Sequence, residues 1–402
     1  MHPFFRSFRS LGYRNFRLFF AGQSISLLGT WIQRIATPWL VYDLTHSVFL
    51  LGLVGFVGQV PVFLVSPFAG VLTDRANRYR ILIATQVLAM VQAAILAALV
   101  LSDSITIPQI LLLSGFLGCV NAFDIPARQS FIIQMVEKKE DLGNAIALNS
   151  SMVNGARLIG PSVAGMLIAT TGEGICFLLN ALSYVFVIVS LLLMKIHVKE
   201  KIKENTSILA ELKNGISYAF GNAPIRHILL LLSLVSFMGM PYSVLMPAFA
   251  KEVLGGEAHT FGFLMGASGM GALSGAFYLA SRKSASGLEK VIPLAAGVFG
   301  LGLVMLSFCR FLPVSLILMV VVGLGMMLMM ASSNTMLQNI VDDGMRGRVM
   351  SFFAVAIMGI APFGSLVAGS MARHIGVPHT LLIGGICCIL GGFAFARKYC
   401  GN

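Results

Sequence analysis

Apolar residues run along this chain in blocks of about twenty, separated by short polar turns. A helix needs roughly 20 apolar residues to cross the hydrocarbon core of a bilayer. Twelve blocks meet that length, predicting spans at 16–42, 48–72, 79–101, 107–130, 142–170, 174–196, 224–249, 259–281, 289–309, 313–340, 347–373 and 377–396. Lipid offers no hydrogen bonds to an open backbone, so spanning segments of this length are helices. The expected fold is therefore an all-α membrane protein. The one long polar interruption is 197–223, "HVKEKIKENTSILAELKNGISYAFGNA", read as a linker with an amphipathic helix near 207–220. It divides the chain into two six-helix halves, 1–196 and 224–402.

Charge fixes the orientation. Positive residues favour the cytoplasmic loops of membrane proteins. With the N-terminus cytoplasmic, 23 of the 28 lysines and arginines fall on that side and three on the other, leaving Arg34 and Arg157 inside spans. Both termini are then cytoplasmic. The net charge of +12 is accounted for by these loops, so no nucleic-acid partner is inferred. The start, "MHPFFRSFRSLGYRNFRLFF", interleaves arginine with phenylalanine and reads as an interfacial segment, not a signal peptide. Shifting the sequence by 204 positions superposes Gln134 on Gln338, Gly160 on Gly364, 163–165 on 367–369 and Gly172 on Gly376, an internal repeat in phase with the twelve spans.

The loop between spans 2 and 3 reads "GVLTDRANRYR", 70–80, an unusual density of charge for so apolar a chain. The pattern Gly70, Leu72, Asp74, Arg75, Arg78 and, one place late, Arg80 resembles the signature of the major facilitator superfamily, with Asn77 where a second glycine is usual. Asparagine tolerates the left-handed conformation, so the turn is expected to survive. The resemblance covers essentially the whole chain. "SLLGTWIQRIATPWLVYDLTHS", "NAFDIPARQSF" and "GARLIGPSVAG" are similar to the bacterial branch that holds enterobactin exporters and related efflux proteins. It implies a major facilitator fold in a bacterial inner membrane and a cytoplasmic latch formed by Asp74 with Arg75, Arg78 and Arg128. The alternative for the arginines is topology alone.

"NGARLIGPSVAG" places Gly155, Gly160, Pro161 and Gly165 in span 5, where small residues permit close packing and proline a bend. It resembles the Gly-Pro signature of antiporters, G-P-x-x-G-G, with Ala164 in one glycine position. That resemblance implies export; ordinary helix packing is the plainer alternative.

An ionisable residue at membrane depth is costly and marks function by default. Arg34 stands on a stripe with Gln23, Ser26 and Thr30, Arg157 on a stripe with Ser150, Asn154 and Pro161, and Asp124 on one with Asn121 and Arg128. Asp124 reads either as a proton carrier or as a permanent partner of Arg128 or of the latch. Arg34 and Arg157 read either as binders of an anionic substrate group or as donors to backbone carbonyls. The second half offers only neutral polar groups at depth, Asn334 and Gln338 in span 10. A methionine-rich run there, with Met238, Met240 and Met246 in span 7, suits a cavity for varied amphiphiles, or simple gap-filling.

The six cysteines follow no disulfide or zinc spacing, no phosphate loop occurs, and no acyltransferase His-Asp pattern is present, so neither an enzyme nor a metal or cofactor site is expected. The expected function is a secondary-active exporter of an amphipathic small molecule such as a siderophore, macrolide or drug-like compound. Its partners would be that substrate, protons in antiport and membrane lipids, and the chain would work as a monomer. The alternative is an uncoupled facilitator or a lipid or lysolipid translocator.

Overall fold

The structure is a computed structural model that describes residues 9–75, 77–136, 138–195, 216–282, 284, 286–342 and 345–399, without the side chains at 67, 70–75, 133 and 139. Among them every regular element is helical. The first six are α1 (Arg14–Thr45), α2 (Val48–Arg75), α3 (Arg78–Leu101), α4 (Ile107–Ile132), α5 (Lys139–Thr171) and α6 (Glu173–Leu192). After the linker come α7 (Ala223–Met238) and α8 (Tyr242–Ala248), prolonged by a π-helical turn (Phe249–Val253). Then follow α9 (Ala258–Ala280), α10 (Leu288–Phe308), α11 (Leu312–Ile340), α12 (Arg346–Ala354), a second π turn (Val355–Gly359) and α13 (Ala361–Tyr399).

Ten helical stretches among the described residues are long and apolar enough to cross a membrane. Two differences reconcile this number with twelve spans. The stretch Arg346–Lys398 has 53 residues, about 80 Å of helix, more than twice the hydrocarbon thickness. It breaks at Gly376, with φ 81° and ψ 160°, into two spans. α1 falls short of the apolar threshold because Gln23, Ser24, Ser26, Thr30, Gln33 and Arg34 dilute it, although its 32 residues exceed the length required. The amphipathic helix expected near 207–220 lies outside the described residues up to 215; 216–221 is helical.

The chain forms two compact units, one of residues 1–41 and 57–202, the other of 42–56 and 203–402. In the first, Gly160 on α5 lies against Trp31 on α1: a Cβ at Gly160 would stand 2.5 Å from the Trp31 Cβ. In the second, Gly364 on α13 lies against the backbone of Phe237 on α7 in the same way. These glycines are 204 positions apart, so the repeated glycine makes the same crossing, fifth span on first, in each unit. Gly172, with φ 79° and ψ 172°, ends α5 as its repeat partner Gly376 breaks α13. Both backbones occupy a region that only glycine enters without strain. The outer end of α1 and the start of α2 belong to the second unit. There Gly52 meets Gly369 and the Ser365 carbonyl, and Phe56 packs edge-on against Phe363 at 5.5 Å.

Gly155, expected to pack closely as Gly160 does, has no neighbour within 4 Å of where its Cβ would be. The two positions share a helix, so they give a matched test. Gly155→Ala should raise the melting temperature of the detergent-solubilised protein, since alanine is favoured over glycine in a helix by roughly 1 kcal/mol. Gly160→Ala should lower it by wedging α5 from α1. Equal shifts for both would show that the crossing does not depend on Gly160.

Candidate substrate and ion-coupling site

The charged centre of the first unit is built on α4. Asp124 is 1% exposed. Its carboxylate accepts hydrogen bonds from Gln86 Nε2 at 2.6 Å and Thr85 Oγ1 at 3.0 Å, both on α3, and pairs with the Arg128 guanidinium one helical turn along α4. Charges in so apolar a setting persist only when paired and hydrogen-bonded. Asp124 meets that condition on three sides. Arg128 keeps one unsatisfied atom, Nε, as Gln86 does at Oε1. Thr85 has one hydroxyl proton but two acceptors in reach, the Leu82 carbonyl at 2.9 Å and Asp124 Oδ1. With Asp124 ionised, Thr85 donates to it. With Asp124 protonated, the carboxyl can donate to Thr85 while Thr85 turns to Leu82. Asp124 and Thr85 thus have a satisfied hydrogen-bond arrangement for either protonation state of the carboxyl, while protonation leaves Arg128 without its counter-charge.

Arg34, on α1, lies with its guanidinium carbon 4.9 Å from the centre of the Trp31 ring. It is within electrostatic reach of Arg157 on α5 and of Tyr184 on α6. Tyr184, 6% exposed, is also within reach of Arg128. One tyrosine is therefore within electrostatic reach of both charged groups. Arg34 is exposed and Arg157 half-buried. Neither makes a hydrogen bond or ion pair with a described residue.

Asn154 donates to the Ser150 carbonyl at 2.9 Å and Gln338 to Asn334 at 2.5 Å, each within its own helix. Pro161 and Gly165 are buried within an unbroken α5. Met246, Met326 and Met329 are buried core residues, which is the gap-filling alternative. The side chains of Gly70, Asp74 and Arg75 lie outside the described residues; Arg78 opens α3. Asn77 corrects one expectation. Its φ of −71° is extended, not left-handed, and its side chain accepts from the Tyr79 and Arg80 amides at 3.0 and 3.3 Å. It caps α3 by satisfying amides that the first helical turn leaves unpaired.

Several buried polar groups escaped the sequence reading, which started in the first half from the charged residues. Asn180 Nδ2 donates to Gln33 Oε1 at 2.7 Å and Gln33 Nε2 to Gln92 Oε1 at 3.0 Å, a buried chain joining α6, α1 and α3. Gln33, Thr85, Gln86, Gln92 and Asn180 are neutral residues in spans otherwise apolar, and that contrast was the available signal. Glu252 is the other correction. Span 7 was expected to end at 249, but the π turn carries its helix to Val253, and the buried Tyr42 hydroxyl bonds the Glu252 carboxylate in the second unit. Asp124 is thus not the only carboxylate on a spanning helix.

The family model for transmembrane secretion effectors matches residues 6–400. The chain belongs to this family of the major facilitator superfamily. A staphyloferrin A transporter of Staphylococcus aureus is 28% identical over 386 residues, covering 95% of this chain and 96% of its own. Macrolide efflux protein A of Streptococcus pyogenes is 22% identical over 391 residues, 94% and 95% of the two chains. A solved D-xylose-proton symporter superposes with a TM-score of 0.75 at 15% identity, over 95% of this chain and 97% of its own, which shows the shared fold. The family member described here is accordingly a multi-pass membrane transporter of a small molecule and not an enzyme.

The Asp124 cluster predicts an order of stabilities for this transporter. Arg128→Ala leaves an unpaired carboxylate and should cost about 3–5 kcal/mol. Asp124→Asn/Arg128→Gln, which removes both charges, should cost less than Arg128→Ala alone. Thermal unfolding in detergent measures both; a double variant no more stable than the single would mean that the pair does not act as a unit.

Proposed function

We propose that the chain exports an amphipathic small molecule, a siderophore, macrolide or drug-like compound, from the cytoplasm by alternating access coupled to proton antiport. The relatives support the efflux class. The single observation that supports coupling is the buried Asp124, whose partners satisfy it both ionised and protonated. In this reading a proton arriving at Asp124 releases Arg128, and Thr85 switches acceptor. Both termini are cytoplasmic on the distribution of lysine and arginine, the membrane is the bacterial inner membrane, and the working unit is a monomer. Asp74 with Arg75 and Arg78 forms the cytoplasmic latch, a role that rests on the motif. Gly160 and Pro161, with Gly165, hold α5 closely on α1 during the cycle.

The uncoupled facilitator or lipid translocator draws on the same pair. An Asp124 held permanently by Arg128 never titrates, and substrate then moves without protons. Purified protein in liposomes with an internal pH-sensitive dye separates the two. Substrate addition should drive a proton flux in the wild type, and Asp124→Asn should lose at least nine-tenths of that flux while still binding substrate. A wild type that moves substrate with no proton flux would establish the uncoupled alternative.

A further inference from the structure

Four charged side chains, Arg34, Asp124, Arg128 and Arg157, lie within the first unit's spanning helices, and their charges do not balance. Asp124 is engaged by Arg128, Thr85 and Gln86. Arg34 and Arg157 remain, two like charges within reach of each other and with no acid among the described residues to offset them. They flank the crossing of α1 and α5. Trp31 meets Gly160 there and the two helices run parallel, with Arg34 three positions after Trp31 and Arg157 three positions before Gly160, so about 9 Å of helix rise separates their backbones. Two unpaired guanidiniums cost stability in a helix bundle, and such groups line substrate pathways. Arg34 is exposed and Arg157 half-buried, so neither residue is fully enclosed by the protein. Guanidinium is the side chain best suited to hold a carboxylate or phosphate through two parallel hydrogen bonds.

We infer that Arg34 and Arg157 form an oxyanion-binding site, and that the transported molecule is an organic anion carrying at least two such groups on a frame that packs against Trp31. This rests on the reading of the chain as an exporter and narrows its substrate class. A lipophilic cation or an amine-bearing macrolide meets two positive charges at this site, with Asp124 already engaged by Arg128, Thr85 and Gln86. Carboxylates of a chelator and the phosphate of a lysolipid share the required chemistry.

Trp31 supplies a readout that needs no transport. The chain has two tryptophans, and the other, Trp39, is 4% exposed, so a ligand that displaces Arg34 from Trp31 changes the fluorescence mainly of one residue. A carboxylate siderophore, its methyl ester, lysophosphatidylglycerol and erythromycin are titrated into the purified full-length protein. The acid should change the fluorescence saturably. The ester and erythromycin should bind at least tenfold more weakly, and Arg34→Gln and Arg157→Gln should each weaken the acid at least tenfold, with Arg34→Lys intermediate. Trp31→Phe should remove the signal. Arginine-dependent binding of lysophosphatidylglycerol alone would assign the site to a phosphate. Equal binding of acid and ester, or no arginine-dependent response to either anion, would overturn the inference. Export of erythromycin that survives Arg34→Gln would overturn it while leaving the exporter reading intact. Arginine-dependent anion binding without export would do the reverse.

Discussion

The cost of holding charge among apolar helices governs this transporter. The spans are made almost entirely of residues that lipid accepts, so each ionised group within them must find a partner or remain unstable. In the first unit Asp124 solves the problem locally, with donors from α3 on one side and Arg128 on the other. Arg34 and Arg157 do not solve it locally, and Trp31 offers Arg34 only the face of its ring. On the proposed reading, the negative charge that offsets this imbalance arrives with the substrate.

The scaffold itself repeats, and the chemistry does not. Gly160 and Gly364 make matching crossings, and Gly172 and Gly376 adopt matching backbone angles, so one packing solution is used in both units. Among the described residues, Arg34, Asp124, Arg128 and Arg157 all belong to the first, while the Glu252 carboxylate lies near the end of a span in the second. The second contributes neutral polar contacts, such as the Tyr242 and Ser268 hydroxyls 2.8 Å apart, and a core filled by Met246, Met326 and Met329. At its edge Tyr42 joins Glu252, so the end of α1 is fastened to residues far along the sequence. Repetition supplies a frame able to move; the departures from repetition supply what the frame acts upon.

The span pattern was legible because lipid imposes a length on every crossing, and the superfamily was legible because the loop between spans 2 and 3 carries charge that membrane insertion alone does not require. Charged site residues were legible for the same reason: Arg34, Asp124, Arg128 and Arg157 stand out in apolar runs. The neutral partners did not stand out. Gln33, Gln92 and Asn180 join three helices through hydrogen bonds, and no spacing along one helix reveals a contact between helices. Asn77 was misjudged because its position in the motif suggested a turn, whereas its side chain serves the first amides of α3. Glu252 was placed in a loop because a π turn lengthens a helix without any apolar signal.

On the proposed reading, substrate is held by the uncompensated positive charge that flanks the α1–α5 crossing. An experimental structure with bound substrate is the decisive test. Oxyanion groups of the substrate are expected within hydrogen-bond distance of both the Arg34 and Arg157 guanidiniums, with Asp124 still flanked by Thr85 and Gln86. A bound substrate that touches neither arginine, with both guanidiniums donating to backbone carbonyls, would contradict it.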